Sequence, residues 1–242
     1  MINHIRVCLV AVTSIGSCAF AQVTNQQTID TTSFNIAVRG SIKPGSCTPS
    51  LENNSRFDYQ HIDSADNLQA VAPTMLPPLR TQLVVTCQSP TELALTSSDM
   101  RKGTAAFSSD VFFFSSANQN QKKWTASRQY GLGTTTEGKK IGSWALKLEP
   151  GTFTADGKQV NSVYSKDQGV SWGNSAGNFF PGYDDWESWS LNSPSDNVLT
   201  PVAAKVFEGT ILVQAMIASR NDLNMTGALS LDGSAVITLI YL

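Results

Sequence analysis

The sequence predicts an all-β fold, a sandwich of two sheets, and three observations carry that expectation. Apolar residues alternate with polar or small ones in short runs, the period of two expected of half-buried strands. Gly, Pro, Asn and Asp bound those runs, as turn residues do. Little of the 242-residue chain shows a 3.6-residue period.

Taken in order, "SFNIAVRGSI" alternates Phe34, Ile36 and Val38 and reads as the first strand. "TQLVVTC" and "ELALTS" follow around Cys87, then "DVFFFSS", "GSWALKLEP", "EGTILVQAMIAS" and the final "SAVITLIYL". Asp156-Gly157 and Asp232-Gly233 read as hairpin turns that tolerate positive φ. "DSADNLQAVAPTM" has room for one helical turn before Pro73. The stretch from about residue 103 to 201 is less regular and holds all five tryptophans. It is expected to be a large elaboration, or longer strands with long loops, grafted on a smaller sandwich, within one domain over residues 34–242. No internal repeat of propeller or solenoid length is present.

The N-terminus reads as an export signal over residues 1–21. Arg6 charges a short leader, an apolar run follows from Val7 to about Ile15, and Ala19-Phe20-Ala21 offers a cleavage site. Ile15-Gly16-Ser17-Cys18 also resembles a lipobox. The apolar run is shorter than the roughly 20 residues that span a bilayer, so no membrane span is expected. Removing the leader takes away Cys8 and Cys18 and leaves Cys47 and Cys87, which in an exported chain pair as one disulfide. His61 is then the one histidine left, too few ligands for a zinc site, and no other metal or cofactor is implied. With 17 basic against 19 acidic residues and no basic stripe, nothing attracts nucleic acid.

Residues 165–173, "SKDQGVSWG", match two motifs at once. Gly169-Val170-Ser171-Trp172-Gly173 has the spacing of a serine-hydrolase elbow, but "SKDQ" reads as a poor strand, "NSAGNFFPGY" as a poor helix, and His61 lies upstream rather than downstream. Ser165, Asp167, Gly169, Ser171 and Trp172 fit the Asp-box of sialidase propellers, which there recurs from blade to blade; here it occurs once. The expectation is a hairpin tightened by Asp167 and packed through Trp172. "GTTTEGKK" at 133–140 puts Lys140 where a phosphate loop needs Ser or Thr, and reads as a solvated turn. Beyond the Asp-box lie Tyr183, Asp184, Asp185, Trp186, Glu187 and Trp189. They suggest either a sugar-binding face or aromatic core beneath loops, the latter preferred. A glycosidase would have to draw its carboxylates from Asp184, Asp185 and Glu187, and spacing alone is weak support.

"FNIAVRGSIKPGSCTPSL", "LRTQLVVTCQSPTELAL" and the closing "GSAVITLIYL" resemble the first two strands and the last strand of chaperone–usher pilus subunits. With "DYQHI", "DMRKGTA", "YGLG" and "IGSWAL" added, the chain resembles a proteobacterial family of fimbrial-like exported proteins of unknown function. The resemblance implies a non-enzymatic, immunoglobulin-like, pilin-type sandwich lacking its last strand. A periplasmic chaperone, an outer-membrane usher and other fimbrial subunits would be its partners, and a glycan its adhesive target. The periplasm and then the cell surface would be its location. Ala235, Ile237, Leu239 and Tyr241 would face the open groove, and Cys47 and Cys87 would staple the first two strands. Residues 22–33 would be the donor extension, although only Val23 and Ile29 are large apolar residues there. A self-contained carbohydrate-binding module is the rival reading.

Overall fold

A computed structural model describes residues 45–52, 54–60, 62, 67–114, 124–181, 185–224 and 229–242. The expected leader, the donor extension with Val23 and Ile29, the strand at 33–42, His61, Tyr183 and Asp184 lie outside the described residues.

Two sheets face each other across one core. The first contains β1 (Cys47–Leu51), β3 (Leu79–Thr91), β13 (Ala204–Ile217), β6 (Gly142–Leu148) and β11 (Asn178–Phe179), in that spatial order. Short strands extend it: β2 (Thr74–Met75) and β7 (Thr154–Ala155) pair with β13, β8 (Lys158–Gln159) with β7, and β5 (Tyr130–Gly131) with β6. The second sheet runs β10 (Gly173–Asn174), β9 (Asn161–Ser165), β12 (Trp186–Ser190), β4 (Leu93–Asp99) and β14 (Ala235–Tyr241). Pairing between these strands is antiparallel throughout.

Most of the alternating runs become strands. The period of two in β3 buries Leu83, Val85 and Cys87, and β13 packs Phe207, Ile211 and Val213 against the same core. Where β3 ends on β13 at Val213 and β2 has not begun, the Tyr59 phenol takes over the ladder. It accepts from the Ala215 N–H at 3.1 Å and donates to the Val213 carbonyl at 3.3 Å, so the freed backbone groups stay satisfied. Burial pushes that phenol up to about 12.

Between the sheets, Trp189 of β12 lies between Phe153 and Phe207, with ring centroids 5.1 and 5.0 Å away and planes tilted by 26° and 24°. Its exposure is 0%, so it is core, as the preferred of the two expectations has it, and not part of a ligand face, which corrects the other. Gly209 makes the stack possible. A Cβ there would sit 2.4 Å from the Phe153 ring.

Other expectations are corrected as well. "DVFFFSS" is no strand: Val111 makes an isolated bridge to Trp124, and Phe113 and Phe114 sit in a turn around that indole. Burying the Phe113 ring needs no strand when one tryptophan gathers it. Asp156-Gly157 does form the β7–β8 turn, with φ of 48° and 76°. Asp232-Gly233 forms no hairpin; the Asp232 carboxylate instead accepts from Arg101 Nε and Nη2 at 2.8 and 2.7 Å. The tryptophan-bearing middle takes the form of strands joined by long loops, one of the two expectations for it. It supplies β6, central in the first sheet, and β9, β10 and β12 of the second. A four-residue helix, α1 (Arg220–Leu223), capped by the Ser219 hydroxyl, follows β13.

Gly209→Ala is expected to cost about 1–3 kcal/mol by driving Phe153 out of the ring stack, read as a lower midpoint in urea unfolding.

Candidate functional site

The lateral edge formed by β1 and β14 carries the most distinctive chemistry. β14 pairs with β4 from Ala235↔Asp99 to Tyr241↔Leu93, and among the described residues no strand covers its other side. Two flanking bonds, Met100 N–H to Ser234 O at 2.9 Å and Leu242 N–H to Glu92 O at 3.2 Å, set the phase of the ladder. Alternation then points the N–H and C=O of Ala235, Ile237, Leu239 and Tyr241 away from β4. A free edge of this kind is a ready template for another strand.

The side chains of Ala235, Ile237 and Leu239 are half-buried and line an apolar groove of about 390 Å³ between the sheets. Leu51, Phe57, Leu83 and Val85 face them from the first sheet and the loop after β1, and Trp144 and Leu146 of β6 lie deeper. Backbone groups wanting partners and a hydrophobic floor thus belong to the same residues. Val236, on the opposite face of β14, is 46% exposed.

Two covalent and polar ties shape the groove. Cys47 and Cys87 sit opposite each other in the β1–β3 ladder and form the expected disulfide, with Cα atoms 4.0 Å apart and a sequence separation of 40. β1 is only five residues long and mostly exposed, so little else than this bond and its ladder holds that wall in place. At the same corner the Cys47 N–H donates to the Tyr241 hydroxyl at 2.9 Å, joining the edge strands of the two sheets. Tyr241 is therefore a clasp at the groove's end.

The remaining residues singled out in the sequence fall elsewhere. In the Asp-box hairpin, Ser165 Oγ donates to Asp167 Oδ1 at 2.6 Å and accepts from the Gly169 N–H at 2.8 Å. Ser171 bonds Asp167 through its N–H, at 2.9 Å, and through its hydroxyl. Those bonds, Ser165 first, hold the Asp167 carboxyl down to about 2. Gly169 has φ of 90° and lies on the Trp186 ring, 3.3 Å from where its Cβ would be. The expected aromatic beneath the turn is thus Trp186, while Trp172 is half-buried beside it in sequence. Trp186 and Trp189 are separated because three residues along a strand reverse the face. Asp185 and Glu187 line a different, polar cleft near β9 and β11. Among the described residues no group of three or more His, Cys, Asp or Glu is placed to hold a metal.

Sequence reading missed the groove's far wall. Phe57 and Tyr59 stand in an irregular segment whose only signal is aromatic character between turns.

With that geometry in view, similarity to known proteins adds breadth rather than chemistry. The model of a family described as a protein of unknown function (DUF1120) matches residues 36–145. The chain is 27% identical over 243 residues to the uncharacterized protein YhcF of Escherichia coli K12, covering 94% of this chain and 96% of that one. It is 25% identical over 249 residues to protein GltF of the same strain, covering 95% and 97%. Both alignments run over nearly the whole of each chain, well beyond the residues that the family model matches.

Two outcomes are expected. Replacing Cys47 and Cys87 together by Ser costs up to about 4 kcal/mol, the loop-entropy value for a loop of this size, read by thermal melting. The Asp167 carboxyl, followed by NMR, titrates at about 2 instead of about 3.9, so the hairpin's bonds persist above that range and are lost as pH falls through about 2; Ser165→Ala moves the value upward.

Proposed function

We propose that this chain is a structural subunit that accepts a β-strand from a partner protein, in the manner of chaperone–usher pilus subunits. The observation that carries the reading is the coincidence on β14 of outward backbone groups and groove-facing apolar side chains at Ala235, Ile237 and Leu239. The occupant is an extended segment with apolar residues at alternate positions. Its backbone would pair with β14, and its side chains would descend onto Leu51, Phe57 and Val85. A periplasmic chaperone would supply that strand first, and the extension of another subunit would replace it on assembly at an outer-membrane usher.

Several features favour this over an inert sandwich. The four outward residues each present an N–H and a C=O, and each bond formed contributes about 1 kcal/mol net. β14 has seven residues, a length that matches an ordinary donor strand of about 20 Å. The groove wall is stapled by a disulfide, which suits an exported chain. In this reading the fold is the immunoglobulin-like pilin sandwich, the protein is non-enzymatic, and its place is the periplasm and then the cell surface.

Expression in a periplasm tests the proposal. The chain alone should be insoluble or degraded, and a co-expressed chaperone or an added donor-strand peptide should rescue it. Ile237→Asp or Leu239→Asp should weaken rescue at least tenfold, whereas Val236→Asp on the other face should leave it within about twofold. A soluble monomer with one cooperative melt, indifferent to such peptides, would overturn it.

A further inference from the structure

A second cleft lies away from the groove, where β11 and the turn before it approach β9 and β12, and none of its lining comes from β14. Its volume is about 340 Å³. That is the small end of the ~300–1,000 Å³ typical of ligand sites, room for one ring rather than a chain.

The polar groups there are arranged rather than scattered. Asn178 is only 6% exposed, lines the cleft, and its side-chain amide has no hydrogen-bond partner among the described residues. Its nitrogen and oxygen are not sealed from solvent, so the donor and the acceptor open onto the cleft. Glu187, equally buried, has one carboxylate oxygen fixed by the Ser175 hydroxyl at 2.8 Å. Lys166 Nζ lies 5.4 Å from the centre of the Tyr164 ring, which steadies a flexible ammonium at the rim. Arg128 rests 4.5 Å over the Phe180 ring in the same way.

Charge decides the ligand class. Among the described lining residues two cations, Arg128 and Lys166, stand beside two carboxylates, Asp185 and Glu187, so these residues together carry no net charge to hold an ion. What it offers is donors and acceptors side by side, with ring edges between them. Hydroxyl groups donate and accept at once, and a pyranose carries several around an apolar ring face. We propose that this cleft binds a single neutral sugar ring, the terminal residue of a glycan. Lys166 and Arg128 donate to its hydroxyl oxygens, Asp185 accepts, and the Asn178 amide does both. The inference stands independently of the strand-acceptor reading, since the two sites share no residue.

The test is saturation-transfer NMR on the full chain, in whatever soluble form a periplasm yields, alone or chaperone-bound. Glucose, galactose, mannose and N-acetylglucosamine are offered at ~10 mM, above the ~1 mM affinities of weak binders. At least one should show transfer. Asn178→Leu should weaken it about tenfold and Lys166→Ala severalfold. The Asn178 side chain bonds no described residue, so its replacement should leave the thermal melt almost unmoved; should that variant nevertheless fail to fold, exposed Lys166 carries the test. No transfer from any neutral sugar, transfer unchanged in both variants, or binding confined to sialic acid or to a zwitterion such as glutamate would each overturn the assignment.

Discussion

The stack of Phe153, Trp189 and Phe207 is the interaction on which the rest of the molecule depends. Trp189 comes from the second sheet and Phe207 from the first, so the three rings set how the sheets meet. Large buried rings contribute more per residue than any aliphatic neighbour, and near-parallel stacking at about 5 Å leaves little freedom in how they lie. Gly209 gives up a side chain in the middle of the longest strand to make room for Phe153. With the sheets held there, the lateral edges can be finished differently.

That difference is where function enters. At the β1–β14 side the sandwich has an apolar interior and an edge whose backbone groups meet no strand among the described residues, an edge that natural sheets ordinarily cover, charge or shorten. At the side of β9 and β11 it has a polar cleft with balanced charges. One edge suits a peptide backbone and the other a small hydroxylated ring. The two demand opposite chemistries, and the ring stack between them lets each be altered without disturbing its counterpart.

Much of this was legible in the residues. The alternation in "TQLVVTC", "ELALTS", "GSWALKLEP" and "SAVITLIYL" became β3, β4, β6 and β14, and cysteine counting found the pair that closes β1 on β3. Strands of two residues, such as β5, β7, β10 and β11, are too short for any period to appear, which is why the middle of the chain looked like an addition. "DVFFFSS" misled because three consecutive phenylalanines satisfy β-propensity locally, while Trp124 offered them a better tertiary partner. Trp186 and Trp189 were read as one face although strand parity separates them. Asn178 could not have been found at all: an amide without a partner is visible only once its neighbours are in place.

The clasp between Cys47 and Tyr241 sets a timetable for folding. The hydrogen-bonded residues are 194 positions apart. β4 likewise waits about 140 residues for β14, because their register joins Leu93 to Tyr241. An emerging N-terminal portion therefore cannot close its second sheet, however long it waits. The nascent chain must be kept from its neighbours until β14 arrives, and loss of β14 would leave one side of β4 bare and the second sheet unfinished.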